Sequence, residues 1–291
     1  MVDVACVLDV RAALGECPIW CAEEACLYWA NIDGRAINRF DPASRTNRVY
    51  SLPGQVGSFA LRAAGGLLVA LRSGFHLYDP ASGRLEAIVA PEPDKPMNRL
   101  NDGRCDPAGR FWAGTMRDPM DHSLREGALY RLGTGRRVTR MLDGIGTSNG
   151  MAFSPDGRTF YLADTNPNVQ TIWAFNFDAE TGAIANRRVF ATTHDELGRP
   201  DGACCDEEGC YWSASVYGWC VLRYAPDGRV IQRIPVPVEK PSMVAFGGPD
   251  LDVLYITSIR VATTAPGQPQ AGSLFACRPG ARGFAEPRYG G

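Results

Sequence analysis

Short runs of apolar and aromatic residues recur along the chain at intervals of about 45 residues, a spacing that points to a repeated architecture. They read CLYWA around Tyr28, GLLVA around Leu68, RFWAG around Phe111, TFYLA around Phe160, CYWSA around Tyr211 and VLYIT around Leu254. Each run is brief, alternating, rich in Val, Ile, Tyr and Phe and closed off by turn residues, which is strand patterning. Polar turns precede most of them, as in DPAGR (106–110), SPDGR (154–158) and DEEGC (206–210), where Gly supplies the positive φ of a tight hairpin. A further strand follows most of them, as in AINRFDP, GFHLYDP, GALYRL, TIWAFNFD, CVLRYAPDG and GSLFACRP. Helical periodicity is hard to find anywhere.

Six such meanders in a row predict an all-β chain, a six-bladed β-propeller with four-stranded blades formed as a single domain over residues 1–291. A β-sandwich is the competing arrangement. The Gly-His and Trp-Asp landmarks of WD40 repeats, which have a similar length, are absent. The segment ACVLDV (5–10), ahead of the first repeat, is expected to supply a strand to the last blade and close the ring.

Composition narrows the function. With 32 Gly and 21 Pro among 291 residues the chain turns often, yet it carries enough apolar material for a core. A net charge of -2, with no block of Lys or Arg, argues against nucleic acid as a partner. The start has no cationic region followed by a long apolar one, and no stretch approaches a membrane span, so a cytoplasmic protein with no membrane partner is expected. The ten cysteines include no CxxC pair and are read as reduced thiols inside strands, not as disulfides or zinc ligands. His76, His122 and His194 lie far apart; GIGTSNG leads into a strand, unlike a phosphate loop, and no GxSxG nucleophile elbow is present.

Stepping back 10 to 12 residues from each landmark run crosses one hairpin and reaches the entrance of the preceding strand, which in a propeller lines the channel. The residues found there are Glu16, Ser58, Arg99 with Asn101, Asn149, Asp201, and Ser242 with Met243. Glu16, Asn149 and Asp201 offer carboxylate and amide oxygens from three blades, a donor set suited to a hard cation and hence to a central metal site. For any one Asn or Asp before Gly, a local turn bond explains the residue equally well. Coincidence of register across blades favours the ligand role, and turn chemistry does not explain Glu16 before Cys-Pro. Arg99 is read as a substrate contact, with a structural ion pair as the alternative. Asn101 is expected to face the channel and Asp102 to hold the loop.

The segments LGECPIW (14–20), NRLNDGRCDPAGRFWAGTM (98–116), SNGMAFSPDGRTFYLADT (148–165), RPDGACCDEEGCYW (199–212) and FGGPDLDVLYITS (246–258) resemble the family of senescence marker protein (regucalcin), gluconolactonase and bacterial sugar lactonases. The resemblance covers nearly the whole chain. It implies a six-bladed propeller holding one divalent cation (Ca, Zn, Mn, Mg or Fe) and hydrolysing a small-molecule sugar lactone, as a monomer or weak homo-oligomer. It places metal ligands at Glu16, Asn149 and Asp201 and substrate contacts at Arg99 and Asn101. In the implied mechanism the cation polarises the lactone carbonyl, and catalytic Asp201 positions the attacking water. Arg99 and Asn101 donate to substrate oxygens. A calcium-dependent phosphotriesterase or arylesterase, or a non-enzymatic calcium-binding propeller, are the competing readings.

Three positions depart from the family pattern. Cys17 stands where Gly is common, which either shifts the backbone beside Glu16 or turns a thiol towards the metal pocket, favouring a softer cation. Asn31 replaces an Asp at a strand end, with little expected effect. The loop RDPMDHSLREG (117–127) reads as lacking the acidic residue that some relatives place over the pocket.

Overall fold

The computed structural model describes residues 2–262, 264 and 266–291. Its strands begin with β1 (Ala5–Leu8) and run on through blade 1, comprising β2 (Gly15–Cys21), β3 (Cys26–Asn31), β4 (Ala36–Asp41) and β5 (Thr46–Ser51). Blade 2 holds β6 (Val56–Leu61), β7 (Leu67–Leu71), β8 (Gly74–Tyr78) and β9 (Leu85–Val89). Blade 3 holds β10 (Asn98–Cys105), β11 (Phe111–Arg117), β12 (Gly127–Leu132) and β13 (Val138–Ile145). Blade 4 holds β14 (Ser148–Phe153), β15 (Thr159–Asp164), β16 (Thr171–Asp178) and β17 (Ala183–Thr192). Blade 5 holds β18 (Arg199–Cys205), β19 (Tyr211–Val216), β20 (Cys220–Tyr224) and β21 (Val230–Pro235). Blade 6 holds β22 (Pro241–Gly247), β23 (Val253–Ser258), β24 (Leu274–Cys277) and, returning from the start of the chain, β1.

Within each blade the strands are antiparallel neighbours, and the first strands β2, β6, β10, β14, β18 and β22 pack against one another in that order around the axis, β22 closing on β2. The chain is therefore the six-bladed β-propeller expected from the repeat. Ring closure is the expected one as well: Ala5 pairs Ala276, Cys6 pairs Phe275 and Leu8 pairs Leu274. A second closure has no strand-like sequence. The C-terminal tail crosses beneath the channel, where Tyr289 bridges Arg62 and is fully buried, and Glu286 grips Arg104 through both carboxylate oxygens at 2.8 and 2.6 Å. Among the described residues no helix is long and apolar enough to cross a membrane.

The blades hold together by burying both faces of their inner strands: β6, β14 and β22 are buried along their whole length. Aromatic rings fill the seams. Trp112 of blade 3 sits 5.1 Å from Phe160 of blade 4, and Trp212 of blade 5 lies 5.6 Å from Phe246 of blade 6. Each such pair contributes about 1 kcal/mol beyond its area burial. The recurrent turn before the landmark strand is built on one buried carboxylate. Asp106 accepts from the Arg110 amide, Arg110 Nε and Trp112 Nε1, and Asp206 accepts from the Cys210 amide, Trp212 Nε1 and Arg223 Nε. That is the physical content of the DPAGRFW and DEEGCYW pattern. All ten cysteines are free thiols, nine of them buried.

Candidate metal and substrate site

Every inner strand breaks its register with the second strand of its blade at the same depth. The breaks fall between Glu16 and Ile19, Val56 and Ser58, Leu100 and Gly103, Asn149 and Ala152, Pro200 and Ala203, and Pro241 and Val244. A bulge adds a residue to one strand and re-aims the side chains beside it. Repeated six times, it turns one polar residue per blade into the channel. Glu16, Ser58, Asn101, Asn149, Asp201 and Ser242 are these residues, and all are buried.

The residue after each differs for local reasons. Gly150, after Asn149, has φ +63, a left-handed conformation that side chains resist. Gly202, after Asp201, is small because the Met243 side chain would meet an added Cβ at 2.2 Å. Cys17, after Glu16, adopts φ +50 despite its side chain, a conformation that glycine adopts with less strain. Its thiol donates to Phe59 O at 3.5 Å and accepts from Phe59 N at 3.4 Å, and burial raises its pKa. The thiol is thus engaged on β6, and of the two readings of Cys17 the unusual backbone beside Glu16 is the one the structure shows.

A directed chain of hydrogen bonds orients the amides. Arg99 only donates, and its Nη1 lies 2.5 Å from Asn101 Oδ1. Asn101 Nδ2 therefore faces the next blade and donates to Asn149 Oδ1 and to Ser148 O, both at 2.9 Å. Asn149 Nδ2 donates to Thr165 Oγ1 at 2.7 Å, and that hydroxyl donates to Pro200 O at 2.6 Å. An arginine at one end and a carbonyl at the other permit one orientation of each link, leaving Asn149 Oδ1 with a lone pair for a ligand. Both N–H groups of Asn101 are consumed, so its remaining capacity is an acceptor lone pair on Oδ1 and not the donor expected of it.

Charge is the site's most unusual property. Glu16, Asp102 and Asp201 are all buried. Burial holds the Glu16 carboxyl well above its ordinary pKa, with repulsion from Asp201 and Asp102 adding to it. Burial and Asp102 push Asp201 up to about 8, and burial raises Asp102. Asp102 Oδ2 accepts from the Met151 amide at 2.9 Å, the loop-holding role expected, but its Oδ1 has no partner. Arg99 is a cation facing Glu16 and Asp201, its own pKa lowered by burial. Its Nε lies 3.4 Å from Asp118 Oδ2, a carboxylate that Arg72 also holds at 2.7 Å. The loop 117–127 therefore does bring an acidic residue to the site, contrary to the sequence reading. Asn31 Oδ1 accepts from the Leu14 and Gly34 amides at 3.3 and 3.2 Å, a turn role.

The sequence-predicted residues thus meet: Arg99, Asn101 and Asn149 in one hydrogen-bonded series, and Glu16 and Asp201 in mutual repulsion. Asp102, Thr165 and Asp118 complete the site. Asp102 is adjacent to Asn101 in NDGR, whereas nothing in the spacing marks Thr165 or Asp118. The donor set fits a divalent cation. Glu16, Asp102 and Asp201 are buried carboxyl groups whose charges oppose one another when ionised, and Asp102 Oδ1 is an orphan among them. Another cluster of ligand atoms, Asp206, Glu208 and Cys210, does not fit, because Asp206 is saturated by the Trp212, Arg223 and backbone donors described above.

Residues 14–260 match the family described as the SMP-30/Gluconolactonase/LRE-like region. The chain is 43% identical to a 6-deoxy-6-sulfogluconolactonase of Pseudomonas putida, covering 98% of each chain. It is 37% identical to a pentonolactonase of Haloferax volcanii, covering 87% of this chain and 84% of that one. In structure it is similar to a calcium-binding protein, regucalcin, of Agrobacterium tumefaciens, with TM-score 0.92, 32% identity and coverage of 99% of this chain and 97% of that one.

Proposed function

The chain belongs to the SMP-30/gluconolactonase/LRE-like family and is a sugar lactonase, and from that premise we propose that Glu16, Asn149 and Asp201 hold a divalent cation at which the lactone opens. The observation that carries the proposal is the meeting of three buried carboxyl groups and one oriented amide oxygen at the channel bulges, with Arg99 as the cation beside them. All-oxygen donors favour Ca²⁺, Mg²⁺ or Mn²⁺ over softer ions. When bound, such a cation supplies Lewis-acid polarisation of the carbonyl and lowers the pKa of water.

The chain's own residues do the remaining work. Asp201 orients the attacking water and accepts its proton as the new C–O bond forms at the carbonyl carbon. The ring C–O bond then breaks, and the leaving alkoxide takes the proton back from Asp201, which gives the hydroxy acid and restores the carboxylate. Arg99, fixed by Asn101 and Asp118, donates to an oxygen of the lactone, and the free lone pair of Asn101 Oδ1 accepts from a sugar hydroxyl. Burial of Asp201, Arg99 and Asn101 excludes bulk water and strengthens their fields. Ten free thiols suit a reducing compartment, so we take the protein to act in the cytoplasm, as a single domain and as a monomer or weak homo-oligomer.

Relatives act on lactones of different length, so the test is a panel of pentono- and hexonolactones assayed after chelation and add-back of single cations. Chelation is expected to lower hydrolysis at least about a hundredfold and one hard cation to restore it. A chelated protein that keeps its rate refutes the metal role. Faster turnover of an aryl ester or fluorophosphate than of any lactone favours the arylesterase reading, and tight cation binding without hydrolysis favours the non-enzymatic one.

A further inference from the structure

Two cations converge on one aromatic ring beside the site. The guanidinium carbon of Arg199 lies 4.6 Å from the ring centroid of Tyr217, and Lys240 Nζ lies 4.7 Å from it. Like charges sharing a ring repel, and a buried lysine is normally paired. Neither cation has a good partner. The Lys240 side chain is 5% exposed, yet its Nζ has a single carboxylate within reach, Glu239 at 3.9 Å, and among the described residues it donates no hydrogen bond to a protein group. Among the described residues Arg199 has no carboxylate within 4 Å and makes no side-chain hydrogen bond. Tyr217 itself sits at φ +67, and Trp219, two residues on, at φ +56. Non-glycine residues in this conformation are uncommon, and at functional sites the strain can serve a purpose.

The place of the cluster gives that purpose. Arg199 precedes Asp201 by two residues on β18, about 7 Å along a strand. Lys240 immediately precedes β22, whose Ser242 Oγ donates to Gly15 O, next to Glu16, at 2.5 Å. The cluster therefore forms the blade 5 and blade 6 wall of the pocket mouth, across the ring from Arg99 on blade 3. A lactone held between Glu16, Asn149 and Asp201 on one side and Arg99 on the other can present its exocyclic carbon to this wall.

Resting on the lactonase reading, we infer that Arg199, Tyr217 and Lys240 form a subsite for a tetrahedral oxyanion, a sulfonate or a phosphate, carried on the exocyclic carbon of the substrate. An ammonium, a guanidinium and a phenol hydroxyl offer donors to separate oxygens of such a group. An anion there also removes the repulsion between the two cations. A neutral hydroxymethyl group does neither.

The test compares kcat/KM for gluconolactone bearing a terminal sulfonate, or a terminal phosphate, with kcat/KM for gluconolactone, at fixed ionic strength. Lys240→Met, which keeps the buried stem, and Arg199→Gln are each expected to lower that ratio at least about tenfold, through KM and not kcat. A preference in either arm supports the subsite, and the larger of the two identifies the oxyanion. An unchanged ratio in both variants overturns it. Calorimetric binding of the open-chain gluconates with and without the terminal oxyanion separates this inference from the lactonase mechanism. At least tenfold tighter binding of the charged tail, abolished by Lys240→Met, supports the subsite even where no lactone is hydrolysed. Equal binding of the two gluconates overturns it even where lactones are.

Discussion

Asp201→Ala is expected to lower kcat/KM for the preferred sugar lactone by about a thousandfold, in the range that loss of a positioned acid–base group produces. The same side chain also contributes an oxygen to the proposed cation site, so the loss is not recovered by raising substrate. Folding should not suffer. Asp201 is buried against Asp102 and Glu16, and each carboxyl opposes ionisation of the next. Removing one relieves repulsion that the folded state carries and the unfolded chain does not. Thermal unfolding in chelator should therefore place the variant no lower than the parent protein, the trade of stability for function expected of an active site. A variant that unfolds well below the parent in chelator would show that Asp201 is a structural residue, and one with full activity would remove it from the chemistry.

Gly150→Ala should do the opposite, damaging fold and activity together. An added Cβ would lie 2.5 Å from Tyr211 Oη, 2.7 Å from Ala163 Cβ and 3.1 Å from Asp201 O, at a residue with φ +63. Tyr211 Oη is not free to withdraw, since it donates to Gly150 O at 2.8 Å inside the blade 4 and blade 5 seam. Left-handed strain and overpacking together cost about 3 kcal/mol. For a chain of this size that is a fall of roughly 6–12 °C in Tm. The displaced turn carries Asn149 on one side and presses on Asp201 on the other, so lactone hydrolysis should fall with it. Unchanged Tm and rate would mean that the bulge does not set the position of Asn149.

These two residues also show what could be read from the sequence. Asn149-Gly150 and Asp201-Gly202 are legible because the bulge recurs at nearly the same offset from each landmark strand and turns a polar residue into the channel. The second strands of the blades are legible for a related reason: buried on both faces, β3 and β7 are near-continuous apolar runs, and the inner strands lie one hairpin before them. The outer strands are not. β17 is mostly exposed along Ala183–Thr192, and its sequence AIANRRVFAT has no face to reveal. The tail was equally silent, because Glu286 and Tyr289 are anchored by Arg104, Leu61 and Gly133 from other blades and not by a strand pattern of their own. Thr165, Asp118 and Lys240 share this property. Each acquires its role from a neighbour brought up by the ring, and no spacing along the chain encodes that. Cys17 left two readings open because residue type at a bulge does not give side-chain direction: its backbone is left-handed, and its thiol turns to Phe59, between β2 and β6.

The account stands on one cation shared by three blades, and locating it is the most direct test. A crystal equilibrated with Mn²⁺ and measured at the manganese edge should show one dominant anomalous peak within about 2.1–2.6 Å of oxygens from Glu16, Asn149 and Asp201. No peak at that point, or a dominant one elsewhere, such as beside Asp206, Glu208 and Cys210, would contradict it.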